Sequence, residues 1–167
     1  MLRVTKLTDY ATLVLTVMAS DPATVHSATG LAERARLEAP TVSKLLKPLA
    51  HAGLVEGFRG VNGGYRLARV PEAISLIEIV EAIEGPLGMT ECSVHAGDCG
   101  IEEHCGVRAN WRHINDVVTE ALRGVTLAQM LAPAPHRDVR VSQAVNAQER
   151  PKRVPSGKSI PLRLANV

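Results

Sequence analysis

The chain has 167 residues, the size of one domain with an appendage, and a core must be mainly aliphatic because only four residues are aromatic. No stretch approaches the roughly 20 apolar residues that cross a bilayer, and the start lacks a signal peptide's apolar run, so we expect a cytoplasmic protein without membrane contacts. The net charge of +2 hides a split: residues 1–70 carry +4, residues 71–133 carry −7 and residues 134–167 carry +5. A basic first part suits a polyanionic partner such as nucleic acid.

Two short helices are predicted first. Apolar spacing indicates a helix over residues 8–19, with Thr8 or Asp9 as its N-cap. After a loop, Ser27 has the character of an N-cap for a second helix that ends near Ala35.

A third helix is predicted to begin at Pro40, since proline is well tolerated in the first turn of a helix. Gly53 would end it, and Pro48 inside the pattern should kink or shorten it. Its inward face is aliphatic and consists of Val42, Leu45, Leu46 and Leu49.

A β-hairpin follows the three helices. Residues 54–59 and 64–67 are strand-like, and Asn62-Gly63 between them supplies residues that tolerate positive φ in a tight turn. Three helices followed by a hairpin is the order of a winged helix-turn-helix, so the predicted fold is mainly α with a small β-hairpin.

The second half is predicted to be helical around a glycine-rich segment. A fourth helix runs from a capping box at Ser75 to Glu84, and a longer one spans residues 107–122 before a last turn at Thr126. Residues 134–167 lack a period and are predicted to be a disordered basic tail. The apolar stripe of the long helix suits packing on another helix and consists of Trp111, Ile114, Val118 and Ala121.

The third helix and the hairpin carry the residues that suit DNA. A recognition helix enters the major groove with its N-terminal part, and an arginine on a wing commonly enters the minor groove. A solvated helix face explains any one of these residues equally well, and helix-turn-helix modules also bind proteins, but the agreement of charge, helix order and wing favours double-stranded DNA. The candidates are Thr41, Ser43, Lys44 and Lys47 in the helix and Arg59, Asn62 and Gly63 in the wing.

All three cysteines, Cys92, Cys99 and Cys105, lie within 14 residues. Clustered thiols in a cytosolic chain more often bind metal or sense redox state than form a disulfide framework. An iron–sulfur cluster, zinc in a Cys3His site with His95 or His104, a metal-free thiol switch and chance clustering of buried thiols all remain open. A fourth ligand to a cluster could come from His95, Asp98, Glu102, Glu103 or His104.

Enzymatic chemistry finds little support in the sequence. There is no C-x-x-C pair, no phosphate-binding glycine pattern and no convincing catalytic triad, and the six histidines are scattered. We therefore expect a binding protein with no small-molecule substrate and no catalytic residues.

The chain resembles the Rrf2 family, the bacterial winged-helix regulators of the IscR and NsrR type, over about residues 1–131. Within that family it is most similar to regulators of the SUF iron–sulfur assembly system. The resemblance rests on Leu7-Thr8-Asp9-Tyr10-Ala11, on residues 40–47, on Arg59-Gly60-Val61-Asn62-Gly63-Gly64-Tyr65, on residues 79–86, and on the three cysteines before Asn110-Trp111.

The resemblance implies four regions and a homodimer. Residues 1–85 would form the DNA-binding domain, residues 86–106 the cluster-binding loop, residues 107–133 the dimerisation helix region, and residues 134–167 the tail. The operator would be an inverted repeat, matching the two-fold symmetry of the dimer.

The resemblance also implies an iron–sulfur cluster, [2Fe–2S] in preference to [4Fe–4S], held by Cys92, Cys99 and Cys105. The histidine that family members place after the third cysteine corresponds to Arg108 here, so Asp9, reaching across from the partner, is the expected fourth ligand, with His104 behind it. The implied function is a repressor of an iron–sulfur assembly operon whose cluster state sets its DNA affinity. A nitric oxide or redox sensor of the same family and a zinc or thiol regulator are the alternatives.

Overall fold

The computed structural model describes residues 4–90 and 104–132. The predicted tail, Cys92 and Cys99 lie outside these residues. The described part is mainly helical with one two-stranded antiparallel hairpin, which confirms the predicted winged helix-turn-helix class. Its elements are α1 (Lys6–Ala19), α2 (Ala28–Ala35), α3 (Ala39–His51), β1 (Val55–Phe58), β2 (Gly64–Leu67), a 3-10 turn (Pro71–Ala73), α4 (Leu76–Glu84), α5 (Arg108–Arg123) and α6 (Leu127–Leu131).

One aliphatic core joins the first four helices, the hairpin and α6. The side chains that fill it come from the inward face predicted for α3 and from α1, α2, the hairpin, α4 and α6. Each such side chain contributes about 1.5–3 kcal/mol when fully buried. The fully buried members include Leu15, Met18, Leu31, Leu46, Leu49, Leu54, Ile74, Ile79 and Leu127.

Helix α1 begins two residues earlier than predicted. Thr5, and not Thr8 or Asp9, is its N-cap, and the Thr5 hydroxyl accepts from the Thr8 N–H at 3.5 Å. The hydroxyls of Thr5 and Thr8 both donate to Glu84 at the end of α4. These hydrogen bonds hold the pKa of Glu84 below its usual value and fasten the start of α1 to α4.

Helix α3 continues through Pro48 to His51, so the predicted shortening at Pro48 does not occur. Ala39 is its first residue and Pro40 its second. The chain leaves the helix through Ala52 and Gly53, whose φ of +69° places it in the left-handed region that favours glycine.

The hairpin pairs Val55 with Leu67 and Phe58 with Gly64, as the predicted strands require. The turn differs from the prediction: Gly60 has the positive φ, +114°, while Asn62 and Gly63 do not. Gly63 is required for another reason, because a Cβ there would lie 2.5 Å from the Phe58 carbonyl oxygen. The connection between the strands therefore runs over five residues, 59–63, one more than the predicted strands leave.

The second half matches the predicted boundaries to within one residue. Glu78 accepts from the Ser75 N–H at 2.9 Å and forms the predicted capping box of α4, and Thr126 caps α6. The segment before α6 pairs with the segment before α4: the Leu127 N–H donates to the Ile74 carbonyl at 2.8 Å. No helix within residues 4–90 and 104–132 is both long and apolar enough to span a membrane.

Candidate DNA-binding face and cysteine segment

Helix α3 has two sharply different faces. Val42, Leu45, Leu46 and Leu49 are at most 2% exposed, and they fix the helix to the core. The opposite face carries the predicted polar residues: Ser43, Lys44 and Lys47 are exposed and Thr41 is half-buried. A row of hydroxyl and ammonium groups on a rigidly backed helix can donate to phosphate oxygens and to the acceptors of guanine.

The wing residues lie in the connection between the two strands. Arg59 and Asn62 are exposed and Gly63 is half-buried. Beside them, Arg66 is already engaged: its guanidinium bonds to Glu56 at 2.5 Å and lies 5.0 Å from the centre of the Phe58 ring. Arg59 makes no hydrogen bond or ion pair within the described part of the chain, whereas Arg66 has two partners.

The wing is fastened to the start of α2. His26, directly before the N-cap Ser27, exchanges two backbone hydrogen bonds of 2.8 Å with Tyr65 of β2. A side chain at Gly64 would collide with the His26 carbonyl oxygen, so only glycine allows this approach. This bridge was missed in the sequence analysis, because a single pair of residues has no periodic pattern.

A second set of contacts fixes the start of α2 near His26. The Arg34 guanidinium donates to the Ser20 hydroxyl at 2.8 Å and to the Val17 carbonyl at 3.3 Å, and its other amine lies 3.3 Å from His26 Nδ1. These bonds tie the end of α1 to α2 and to the residue that pairs with the wing. Helix α2, which packs on α3, is thus fastened both to α1 and to the wing.

The two edges of the cysteine segment contact α5. Asn115, a buried polar residue at 9% exposure, accepts from the Met89 N–H at 3.1 Å. At the other edge, the half-buried Cys105 precedes α5, and its carbonyl accepts from the Arg108 N–H at 3.3 Å. Asn115 was missed from sequence, because its partner lies 26 residues away and outside any local motif.

The other proposed ligands are placed as follows. Asp9 is exposed in the first turn of α1 and lines a cavity of about 400 Å³ together with Val80 and Leu122. His104 is exposed beside Cys105. Within residues 4–90 and 104–132 no three potential ligands come together, and the predicted Cys92 and Cys99, like His95, Asp98, Glu102 and Glu103, lie outside those residues.

Within the described residues, helix α5 is largely exposed, although Val118 and Leu122 are half-buried. Asn115 is its one buried residue in the described structure, whereas Trp111, Ile114 and Val117 are 38%, 40% and 55% exposed. Of the predicted stripe, Trp111, Ile114 and Ala121 are exposed and Val118 is half-buried, and Val117 beside them is exposed too. A helix with such exposed apolar residues normally packs on a second surface.

The chain is similar to known proteins in both sequence and structure. Residues 4–133 match the Rrf2 family, described as "Iron-dependent Transcriptional regulator". The Rhizobium meliloti (strain 1021) protein aau3 is 34% identical over 136 residues, which cover 80% of this chain and 88% of that protein.

Two solved structures share the fold. CymR, the global cysteine regulator of B. subtilis, is 29% identical with a TM-score of 0.61, covering 78% of this chain and 97% of CymR. IscR of T. potens is also 29% identical, with a TM-score of 0.58, covering 78% of this chain and 86% of IscR. Both relatives are similar in the helix-turn-helix order described above.

Proposed function

This chain belongs to the Rrf2 family of DNA-binding transcription regulators. We propose that it is a homodimeric repressor of an iron–sulfur assembly operon of the SUF type. We further propose that its DNA affinity depends on an iron–sulfur cluster. The observation that carries the DNA-binding part is the division of α3 into a buried aliphatic face and an exposed polar face. The relatives are regulators, which agrees with the expectation of a binding protein over an enzyme.

In this proposal α3 enters the major groove. Lys44 and Lys47 bind phosphates or guanine, and Thr41 and Ser43 donate to phosphate or base edges. Arg59 and Asn62 reach the minor groove, where Gly63 lets the backbone come close. The support is that α3 is fixed by its buried leucines and packs against β1, so both sets of residues belong to one framework.

The partner proposed for α5 is a second copy of the chain. The exposed stripe of Trp111, Ile114 and Val117 would meet its symmetry mate, because closed two-fold symmetry lets one apolar stripe cover itself. Such a dimer presents two copies of α3 to an inverted repeat.

The cysteines fit a soft metal centre. Cys92, Cys99 and Cys105 supply three thiolate donors, the ligand type of iron–sulfur clusters, and Cys105 is half-buried at the start of α5 and in no disulfide. We assign these three as ligands of a [2Fe–2S] cluster, with [4Fe–4S] as the alternative, and Asp9 of the other protomer as the fourth. The cluster would supply a group that oxidants, nitric oxide or iron loss can alter.

The chain's own contacts support a route to the DNA. Because Met89 and Cys105 are hydrogen-bonded to α5, a change in how the segment between them is held would shift α5. Since α5 is the proposed dimer contact, that shift would change the separation of the two α3 helices against two half-sites.

The DNA-binding part is tested with a randomised duplex library. Protein purified without oxygen should select an inverted repeat, and Lys44→Ala and Arg59→Ala should each weaken binding to the selected site about tenfold or more while retaining iron. Selection of no sequence, or wild-type affinity in both variants, would contradict the proposal.

The cluster part is tested by metal analysis. The anaerobic protein should hold iron and acid-labile sulfide and absorb in the visible, and Cys99→Ala should lose all three while remaining dimeric. Unchanged iron and sulfide in Cys99→Ala would show that the ligand assignment is wrong.

A thiol-based regulator is the second candidate. The similarity to CymR, a global cysteine regulator, favours it, because three cysteines can also be oxidised without metal. A colourless protein that binds DNA, holds zinc or no metal after reconstitution, and loses DNA affinity on mild oxidation would replace the cluster proposal with this one.

A further inference from the structure

Arg36 has a backbone conformation that its side chain disfavours. It ends α2 with φ +55° and ψ +41°, and it is the one residue other than glycine with a positive φ in the described chain. The left-handed region brings Cβ close to the backbone carbonyl, so glycine or asparagine normally occupies such a helix end. An arginine therefore occupies a backbone conformation that favours glycine or asparagine.

No hydrogen bond, ion pair or ring contact within the described residues accounts for the guanidinium of Arg36. Its backbone N–H closes α2 by donating to the Glu33 carbonyl at 3.2 Å, a bond that any residue but proline would make. The exposed guanidinium has no hydrogen bond or ion pair there, and neither Glu33 nor Glu38 engages it. Arg34, two residues earlier, shows the opposite case, since its guanidinium is bound to Ser20 and Val17.

The place of Arg36 in the fold is the turn of the helix-turn-helix. It lies three residues before Ala39, where α3 begins, and the N-terminal part of such a helix is the part that enters the major groove. The turn before it therefore passes the phosphates that edge the groove. A cation without an internal partner at this point matches a phosphate oxygen by charge and by guanidinium geometry.

We propose that Arg36 is a phosphate-binding residue of the DNA interface and that the strained turn is retained for its charge. This inference rests on the DNA-binding face proposed for α3. It adds to that face a residue on the turn, outside both the recognition helix and the wing. The contact is to the DNA backbone, so it does not depend on base sequence.

Three variants separate charge from backbone strain. Arg36→Gly and Arg36→Asn remove the charge and suit the left-handed conformation, whereas Arg36→Lys keeps the charge and the strain. The probe is a 30-base-pair duplex of arbitrary sequence, titrated at several salt concentrations. Arg123→Ala is the matched control, because it removes one positive charge from α5, where Arg123 pairs with Glu120.

We expect Arg36→Gly and Arg36→Asn to bind the duplex about fivefold to tenfold more weakly and to reduce the salt slope by about one per protomer. Their melting temperatures should be no lower than that of the wild type, and up to about 4 °C higher. Arg36→Lys should bind within about twofold of the wild type, and Arg123→Ala should leave the slope unchanged.

Wild-type affinity and salt slope in Arg36→Gly would overturn the inference. An equal loss in Arg123→Ala would also overturn it, since net charge alone would then explain the effect. The proposed DNA face is judged separately: if Lys44→Ala weakens binding and Arg36→Gly does not, only the role of Arg36 is wrong. If Lys44→Ala binds like the wild type, the face itself is wrong.

Discussion

Helices α3 and α5 have similar apolar periodicity but differ in how far their apolar residues are buried. The four inward residues of α3 are at most 2% exposed, whereas α5, three residues longer, buries only Asn115 and leaves Trp111 38% exposed. The apolar face of α3 is buried in the core of its own chain. Helix α5 has apolar residues that the described part of the chain leaves exposed, so amphipathic spacing predicts burial without saying which surface provides it.

The largest effect on stability should come from the buried face of α3. Leu46→Ala removes a fully buried side chain from α3 and should lower the free energy of unfolding by about 3 kcal/mol, measured by urea denaturation. His51→Ala changes an exposed residue of the same helix and should cost less than about 0.5 kcal/mol. Equal losses in the two variants would mean that the leucine face does not anchor α3.

On the other helix, Ile114→Asp should act on association. A charge in the exposed stripe of α5 should raise the dimer dissociation constant about a hundredfold, roughly 2.7 kcal/mol, measured by sedimentation velocity. Asp116→Ala, at an exposed position on the same helix, should leave the dimer intact. A fully dimeric Ile114→Asp would place the interface elsewhere.

A smaller effect is expected where the wing meets α2. Gly64→Ala would push a Cβ into the His26 carbonyl and should destabilise the fold by about 2 kcal/mol while weakening DNA binding. Gly57→Ala is the matched change in the other strand, where the new Cβ would lie 3.5 Å from Tyr65 Cε1. Thermal melts of both variants measure the difference, and equal melts would show that the bridge is not rigid.

The smallest effect concerns Glu84. Hydrogen bonds from Thr5 and Thr8 lower its pKa in the folded state, so their contribution is present above the unfolded pKa and is lost as the pH falls through the folded value. Glu84→Gln should therefore melt slightly lower than the wild type at pH 7, and the difference should shrink as the pH falls through the folded pKa of Glu84. Glu81→Gln on the same helix serves as the control, and a pH-independent gap would contradict this origin.

The elements that sequence predicted well are those with local causes. The polar face of α3, the two strands and the caps at Ser27, Ser75 and Thr126 follow from spacing and from side chains a few residues apart. The fold class was predictable for the same reason.

The features that sequence missed depend on distant partners. The hydroxyl of Thr5, the N-cap of α1, donates to Glu84, 79 residues away. The Asn115–Met89 bond likewise has no local pattern. The cysteine site was predictable only as a set of donors, since spacing does not show which side chains converge.

The pairing of His26 with Tyr65 has a consequence for operators. It ties the wing to the residue before the N-cap of α2, so the spacing between the major-groove contact proposed for α3 and the minor-groove contact proposed for Arg59 should be fixed within each protomer. Each protomer would then match only half-sites in which these two contact positions lie at one fixed distance. Operators of this protein should tolerate base changes within a half-site far better than the insertion of a base pair into it, and only the gap between half-sites should be open to regulation.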